Sequence, residues 1–282
     1  MRAITPKLAG VTLIELMVAL AIGSLLVVGA IDVFAQARSA YRTAEGVARL
    51  QETLRFAMNI LVEDIRLAHF WGRTNQIGRI EREPAARVTC GGRDVTGWAL
   101  DVARGIEARD TNYDLPCPGA EPRVGSDVIV VRHAQPEATV PDRRKIQIQS
   151  NGGGGRLFSS GNRPAPFRIG GAIFDVVVNA YYVGNRSNYE AGMPALRRRS
   201  LVGRIMQDQE IISGIDTLHV QLGIDRDGDG LVDAYVDGGT AARPDPEQHI
   251  LAVRVRIEAR TEAGYPQRRA ALTRTIVIRN AG

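Results

Sequence analysis

The hydrophobic pattern divides this chain into an unbroken apolar run, an amphipathic stretch and a long region of alternating short segments. From Val11 to Ile31 the run is apolar except for Thr12, Ser24 and one carboxylate, Glu15. It reaches the roughly 20 residues that a membrane-spanning helix needs. From Asp32 to about Ala68 apolar residues recur at spacings of three and four, through Val33, Ala37, Tyr41, Ala44, Ala48, Leu54, Met58, Leu61, Ile65 and Ala68, broken only by Gln51. That is one stripe of an amphipathic helix. No proline lies between Pro6 and Pro84, so the pattern predicts a single helix from Val11 to the high sixties, about 85 Å long. Its first half (11–31) faces lipid, and its second half (32–69) packs on a domain. Gly23 and Gly29 are its weak points, each costing about 1 kcal/mol relative to Ala in a helix interior.

Residues 70–282 read as a β-rich head. From Phe70 to Arg123 the chain is rich in Gly, Pro and Arg with little periodicity, which predicts loops. Strands follow at Asp127–Arg132, Lys145–Gln149 and Ala172–Val183, then at Leu196–Leu201, Gln209–Ile215, Thr217–Ile224, Ile250–Ala259 and Leu272–Arg279. Leu251, Val253, Val255 and Ile257 alternate with Arg254, Arg256 and Glu258, the pattern of an antiparallel sheet with one wet face. Asn151 and the four glycines after it read as a flexible connector, without the Gly-Lys-Ser/Thr ending of a phosphate loop. Arg197, Arg198 and Arg199 read as a solvated face, with a phosphate or DNA contact as the alternative. The fold class expected is α+β: a long N-terminal helix carrying an antiparallel β-sheet head.

Charge orients this arrangement. The leader, residues 1–10, holds Arg2 and Lys7 and no acid, so the positive-inside bias keeps the N-terminus in the cytoplasm and sends the head across. A secretory signal carries its small-residue cut site after the apolar run; here Gly10 precedes it. Cleavage there leaves the helix on the mature chain. The formal charge of +5 falls to 34 basic against 31 acidic residues without the leader, too balanced for nucleic acid as the main partner. Cys90 and Cys117 both follow the apolar run and so lie on the oxidising side, where a disulfide is the default. It would stabilise by about 3 kcal/mol in the chain-entropy account. The alternative, a free or metal-bound pair, lacks the C-x-x-C spacing of zinc sites.

Two groups carry candidate chemistry. An ionisable residue within a membrane costs on the order of 2.5–3.5 kcal/mol and calls for a partner. Cleavage after Gly10 would supply one for Glu15, the amine of Val11 on a neighbouring subunit; the alternative is a plain signal anchor whose Glu15 snorkels to the headgroups. The second group is Asp225-Arg226-Asp227-Gly228-Asp229-Gly230-Leu231-Val232-Asp233. Carboxylates at alternate positions before Gly230 match the start of an EF-hand-like calcium loop, with the Leu231 carbonyl and Asp233 at the next ligand positions. The twelfth position is Val236, not Glu, and the flanks read as strands, so the expectation is a calcium-stapled β-loop. The alternative is a metal-free Asp-Gly turn; mutual repulsion among the carboxylates favours the cation. The four histidines are scattered, and no His-Glu-x-x-His or Gly-x-Ser-x-Gly motif occurs, so no enzyme is expected.

Gly10-Val11-Thr12-Leu13-Ile14-Glu15-Leu16 resembles the prepilin signal of type IV pilins and type II secretion pseudopilins. That resemblance implies cleavage after Gly10 by a prepilin peptidase, N-methylation of Val11, where the family most often has Phe, and a role for Glu15 in subunit assembly. Further motifs resemble the PilW-type minor pilins: Ile65 to Gly72, Ala180-Tyr181-Tyr182-Val183, Ala195-Leu196-Arg197-Arg198, Ile211 to Asp225 and Val253 to Ile257. The family usually has Gly where His69 stands, and its cysteines near Gly72 and before the Leu-Arg element are replaced here. The resemblance implies a single-pass inner-membrane subunit with its head in the periplasm and then at the cell surface. Its partners would be other minor and major pilins. The alternatives are a minor pseudopilin of type II secretion, or a calcium-dependent adhesin or DNA-uptake tip subunit.

Overall fold

The computed structural model describes residues 10–111, 113–238 and 249–280; most of the leader, with Arg2 and Lys7, lies outside them. The amphipathic pattern and the apolar run become one uninterrupted helix, α1 (Leu13–Leu67), about 80 Å long at 1.5 Å per residue. Gly23 and Gly29 do not break it.

Fourteen strands follow among the described residues. They are β1 (Ile80–Arg82), β2 (Thr89–Cys90), β3 (Arg93–Asp94), β4 (Ile106–Arg109), β5 (Val128–Thr139), β6 (Gln147–Asn151) and β7 (Gly154–Phe158). Then come β8 (Ala172–Gly184), β9 (Ala195–Val202), β10 (Ile205–Ser213), β11 (Ile215–Asp225), β12 (Ala234–Asp237), β13 (His249–Arg260) and β14 (Arg269–Val277). A one-turn helix, α2 (Thr96–Ala99), interrupts the early strands.

The strands form two sheets. The larger runs β1-β7-β6-β8-β9-β10-β2-β3, with β5 on the other edge of β8 and β4 beyond it; the smaller runs β12-β11-β13-β14. Pairing is antiparallel except for β1 with β7 and β2 with β10, so the larger sheet is mixed at its margins. The 13-residue β8 is the axis of that sheet: β5 lies along one side, and β6 and β9 share the other end to end.

One core gathers Leu50, Leu54, Met58, Leu61 and Ile65 of α1 with Ile129, Val131 and Tyr181 of the larger sheet and Val253, Val255 and Ile257 of the smaller. The opposite face of the larger sheet is covered by the 70–123 segment. Trp71, Val88, Cys90, Val95, Leu115 and Cys117 pack there against Val128, Val130, Val176 and Val178. The segment expected to be loops is a lid of short strands and turns over a second apolar face, and Cys90 bonded to Cys117 pins it.

Three local expectations are corrected. The buried stripe of α1 begins with Gly46 and Leu50, not with Val33; Val33, Ala37, Tyr41, Ala44, Ala48 and Gln51 are exposed. The head grips the helix where Tyr265 lies so close to Gly46 that an added Cβ would stand 3.1 Å from the Tyr265 Cβ. The glycine run after Asn151 is a tight β6–β7 turn, with Asn151 paired to Gly154. Finally, Arg197 is buried, not solvated. Its guanidinium reaches Asp208 at 2.5 Å and Glu210 at 3.3 Å across the β9–β10 ladder, which cancels the charge that burial would otherwise strand.

Candidate functional site

Gly10 and Val11 sit exposed ahead of α1. Thr12 caps the helix in an extended conformation: its Oγ1 accepts the Glu15 amide at 3.3 Å, while Glu15 Oε2 accepts the Thr12 amide and hydroxyl, each at 3.0 Å. Thr-x-x-Glu is thus a capping box that satisfies amides the helix start would orphan, a role the assembly reading of Glu15 had not included. Glu15 Oε1 accepts no bond from a described residue, so one oxygen is occupied within the chain and the other is open.

Every residue from Leu13 to Arg42 is exposed except half-buried Gly23. Leu13 keeps 80 %, Leu25 73 % and Phe34 69 % of their surface exposed, in a helix half long and apolar enough to cross a membrane. Where this bare half meets the head, Ile31, Phe34, Arg38 and Arg42 line a groove of about 550 Å³ against Gly264 and Pro266. Tyr265 between them donates to Glu45 at 2.9 Å and lies under the Arg49 guanidinium.

At the other end of α1, Asp64 ties the helix to the larger sheet. Its Oδ2 accepts Tyr181 Oη at 2.6 Å and Asn179 Nδ2 at 2.5 Å, and its Oδ1 lies 3.4 Å from His133 Nε2. Burial raises the Asp64 carboxyl, but the His133 contact and the two donors outweigh it and hold it below the ordinary carboxylate range. His69, just past the helix, has φ +63°. This left-handed conformation favours glycine, in line with the residue the PilW-type minor pilins usually place there.

The acidic loop joins β11 to β12 at the edge of the smaller sheet. Asp225, Asp227 and Asp229 bring carboxylate oxygens within 4.8 Å of one another. Asp225 is buried and the other two are exposed. Burial raises the Asp225 carboxyl, but amide hydrogen bonds outweigh it; Gly228 and Gly230 donate at 2.7 and 2.9 Å, and the pKa falls below the ordinary range. Gly228 and Gly230 both have positive φ, which lets the loop curl back on Asp225. Asp233 takes no part in the cluster; its Oδ2 accepts the Arg226 amide at 2.7 Å. The Leu231 side chain is exposed, and its amide donates to Asp229 Oδ1 at 2.7 Å. Cys90 and Cys117 are joined, with Cα atoms 5.6 Å apart.

Residues 6–31 match the prokaryotic N-terminal methylation motif, and residues 180–280 match the family of the type IV pilus-assembly protein W. The two matches support a pilus-related protein of the PilW type. Both families are structural components of pili. The PilW match begins in the C-terminal part of β8 and takes in β9 to β14, hence the whole smaller sheet, the acidic loop and the strands that grip α1. The methylation match covers the capping box and the bare half of the helix as far as Ile31. No curated protein and no solved structure matches the chain significantly.

Proposed function

We infer that the chain is a minor pilin that starts or caps a type IV pilus. The observation that carries this reading is the bare half of α1: Leu13 to Arg42 has no covering surface in its own head, and exposed apolar area on this scale is stable only in lipid or against other helices. In this reading prepilin peptidase cuts after Gly10 and Val11 is methylated. The leader side stays cytoplasmic, the head stands in the periplasm, and residues 11–31 pass from bilayer to filament by packing against other pilin helices. Glu15 keeps Oε2 in the capping box and offers Oε1 to the Val11 amine of a neighbour. Glu15→Ala should leave membrane insertion unchanged and reduce co-purification with partner pilins at least tenfold; undiminished co-purification would defeat the reading. A mature chain starting at N-methylated Val11, read by mass spectrometry, tests the processing.

The convergence of three carboxylates favours a divalent-cation site in the acidic loop. Asp225, Asp227 and Asp229 would hold calcium through hard oxygen ligands, and the ion would relieve their mutual repulsion. Calcium at 100 times its Kd would stabilise the head by about 2.7 kcal/mol. The melting temperature of the full chain should therefore rise with calcium and not after Asp227→Ala with Asp229→Ala; identical melting with calcium and with chelator would exclude the site.

A further inference from the structure

Although the chain after the leader is nearly neutral, the fold separates its charge. Segments 73–94 and 142–170 with Arg204 hold twelve basic and four acidic residues, and Asp175, paired to Lys145 at 2.5 Å, adds a fifth acid. The rest from Val11 onward holds 22 basic and 26 acidic residues. These basic segments form one continuous surface. Strand β1 pairs with β7, the Thr89 amide donates to Arg204 O at 3.0 Å, and the Ile146 amide to Gly203 O at 3.2 Å. A Cβ added at Gly161 would stand 2.9 Å from Arg143.

Eight of its arginines form no ion pair with a described residue. Four of these are aimed by backbone carbonyls: Arg73 donates to Gly170 O at 2.8 Å, Arg82 to Ala86 O at 3.2 Å, Arg168 to Arg163 O at 3.2 Å and Arg204 to Ala85 O at 2.9 Å. Arg79, Arg93, Arg143 and Arg163 are exposed, and their side chains bond to no described residue. Eight guanidiniums without an ion pair to a described residue thus lie on these joined segments, and each planar fork fits a phosphate.

The face lies past the C-terminal end of α1, where the Arg73 amide donates to Ser150 Oγ at 2.9 Å. From Ile31 to Leu67 the helix runs about 54 Å, so headgroups around the chain's own anchor are out of reach. No aromatic ring of these segments is exposed, which leaves no platform for stacking unpaired bases. A duplex, with one charge per about 1.7 Å of axis, presents phosphates densely enough to engage the whole face. We propose that the arginine face at the far end of the head binds the phosphate backbone of double-stranded nucleic acid without reading its sequence. Phosphate contacts alone carry no sequence information.

The proposal is independent of pilus assembly and is tested on the full chain in detergent micelles. The probe is a fluorescein-labelled 30-base-pair DNA duplex followed by anisotropy. The duplex should bind at low salt, and log K should fall linearly with log salt, with a slope of about −0.9 for each phosphate contact. Arg93→Glu, Arg143→Glu and Arg163→Glu together should weaken binding at least tenfold and make the slope shallower by about 3. The control triple Arg55→Glu, Arg66→Glu and Arg274→Glu should change it less than twofold, with near-ultraviolet circular dichroism checking that both variants are folded. No duplex binding at 50 mM salt, an equal loss in the control, tighter binding to single strands, or stronger binding to phosphatidylglycerol vesicles would each overturn the proposal.

Discussion

The two halves of α1 are one continuous helix with opposite surroundings. Thr43 to Leu67 buries Leu50, Leu54, Ala57, Met58, Leu61, Val62 and Ile65 under two sheets; Leu13 to Arg42 buries nothing. Hydrophobicity alone does not separate them, since the bare half is the more apolar. The decisive difference is where a partner surface exists within the same chain. The head stabilises only the helix it touches, and the bare half carries apolar area whose burial must come from outside.

Replacing one leucine in each half tests this contrast most strongly. Leu61→Ala removes a fully buried side chain and should destabilise the detergent-solubilised chain by about 3 kcal/mol in denaturant titration. Leu25→Ala should shift the midpoint by less than about 0.5 kcal/mol. Equal effects would erase the contrast.

A smaller effect is expected at the junction. Gly46→Leu must displace Tyr265 and should cost about 1–3 kcal/mol by overpacking. It should also loosen the 262–268 turn, visible as faster amide exchange there with no change at β6.

The smallest effect is electrostatic. Asp64 has a carboxyl held below its unfolded value, so its contribution is present above the unfolded pKa of about 4 and is lost as pH falls through the lower folded value. The thermal stability of the wild type should fall as the pH drops below about 4. Asp64→Asn should flatten that acid limb; an unchanged limb would place the coupling elsewhere. Glu107, which Arg132 holds low in the same way against the opposing effect of burial, supplies the residual slope.

Much of this was legible in the residues, because the apolar run, the alternation around Val253 and the Asp-x-Asp-x-Asp spacing each repeat a single physical rule. What stayed hidden depends on contacts distant in sequence. Gln147 and Gln149 look like the wet face of β6, yet they are fully buried, because the sheet is covered on both sides. Gly46 lies off the expected stripe, yet it is buried because Tyr265, 219 positions later, packs against it. Arg197 looks solvated until β10 brings Asp208 beside it. The capping box of Glu15 was visible as Thr-x-x-Glu but was masked by the membrane context of the run. In the acidic loop, the spacing signalled the meeting of Asp225, Asp227 and Asp229, and nothing in it signalled that Asp233 would turn to the Arg226 amide.

The absence of a break in α1 also has a mechanical consequence. Any tension between the apolar end and the head travels along the axis of this helix and reaches the sheets as shear, spread over the buried residues from Gly46 to Ile65 at once. The weakest link is then the exposed stretch between Ile31 and Arg42, whose axial hydrogen bonds have no tertiary support. Under load that stretch should lengthen first, acting as a spring in series while the head stays folded.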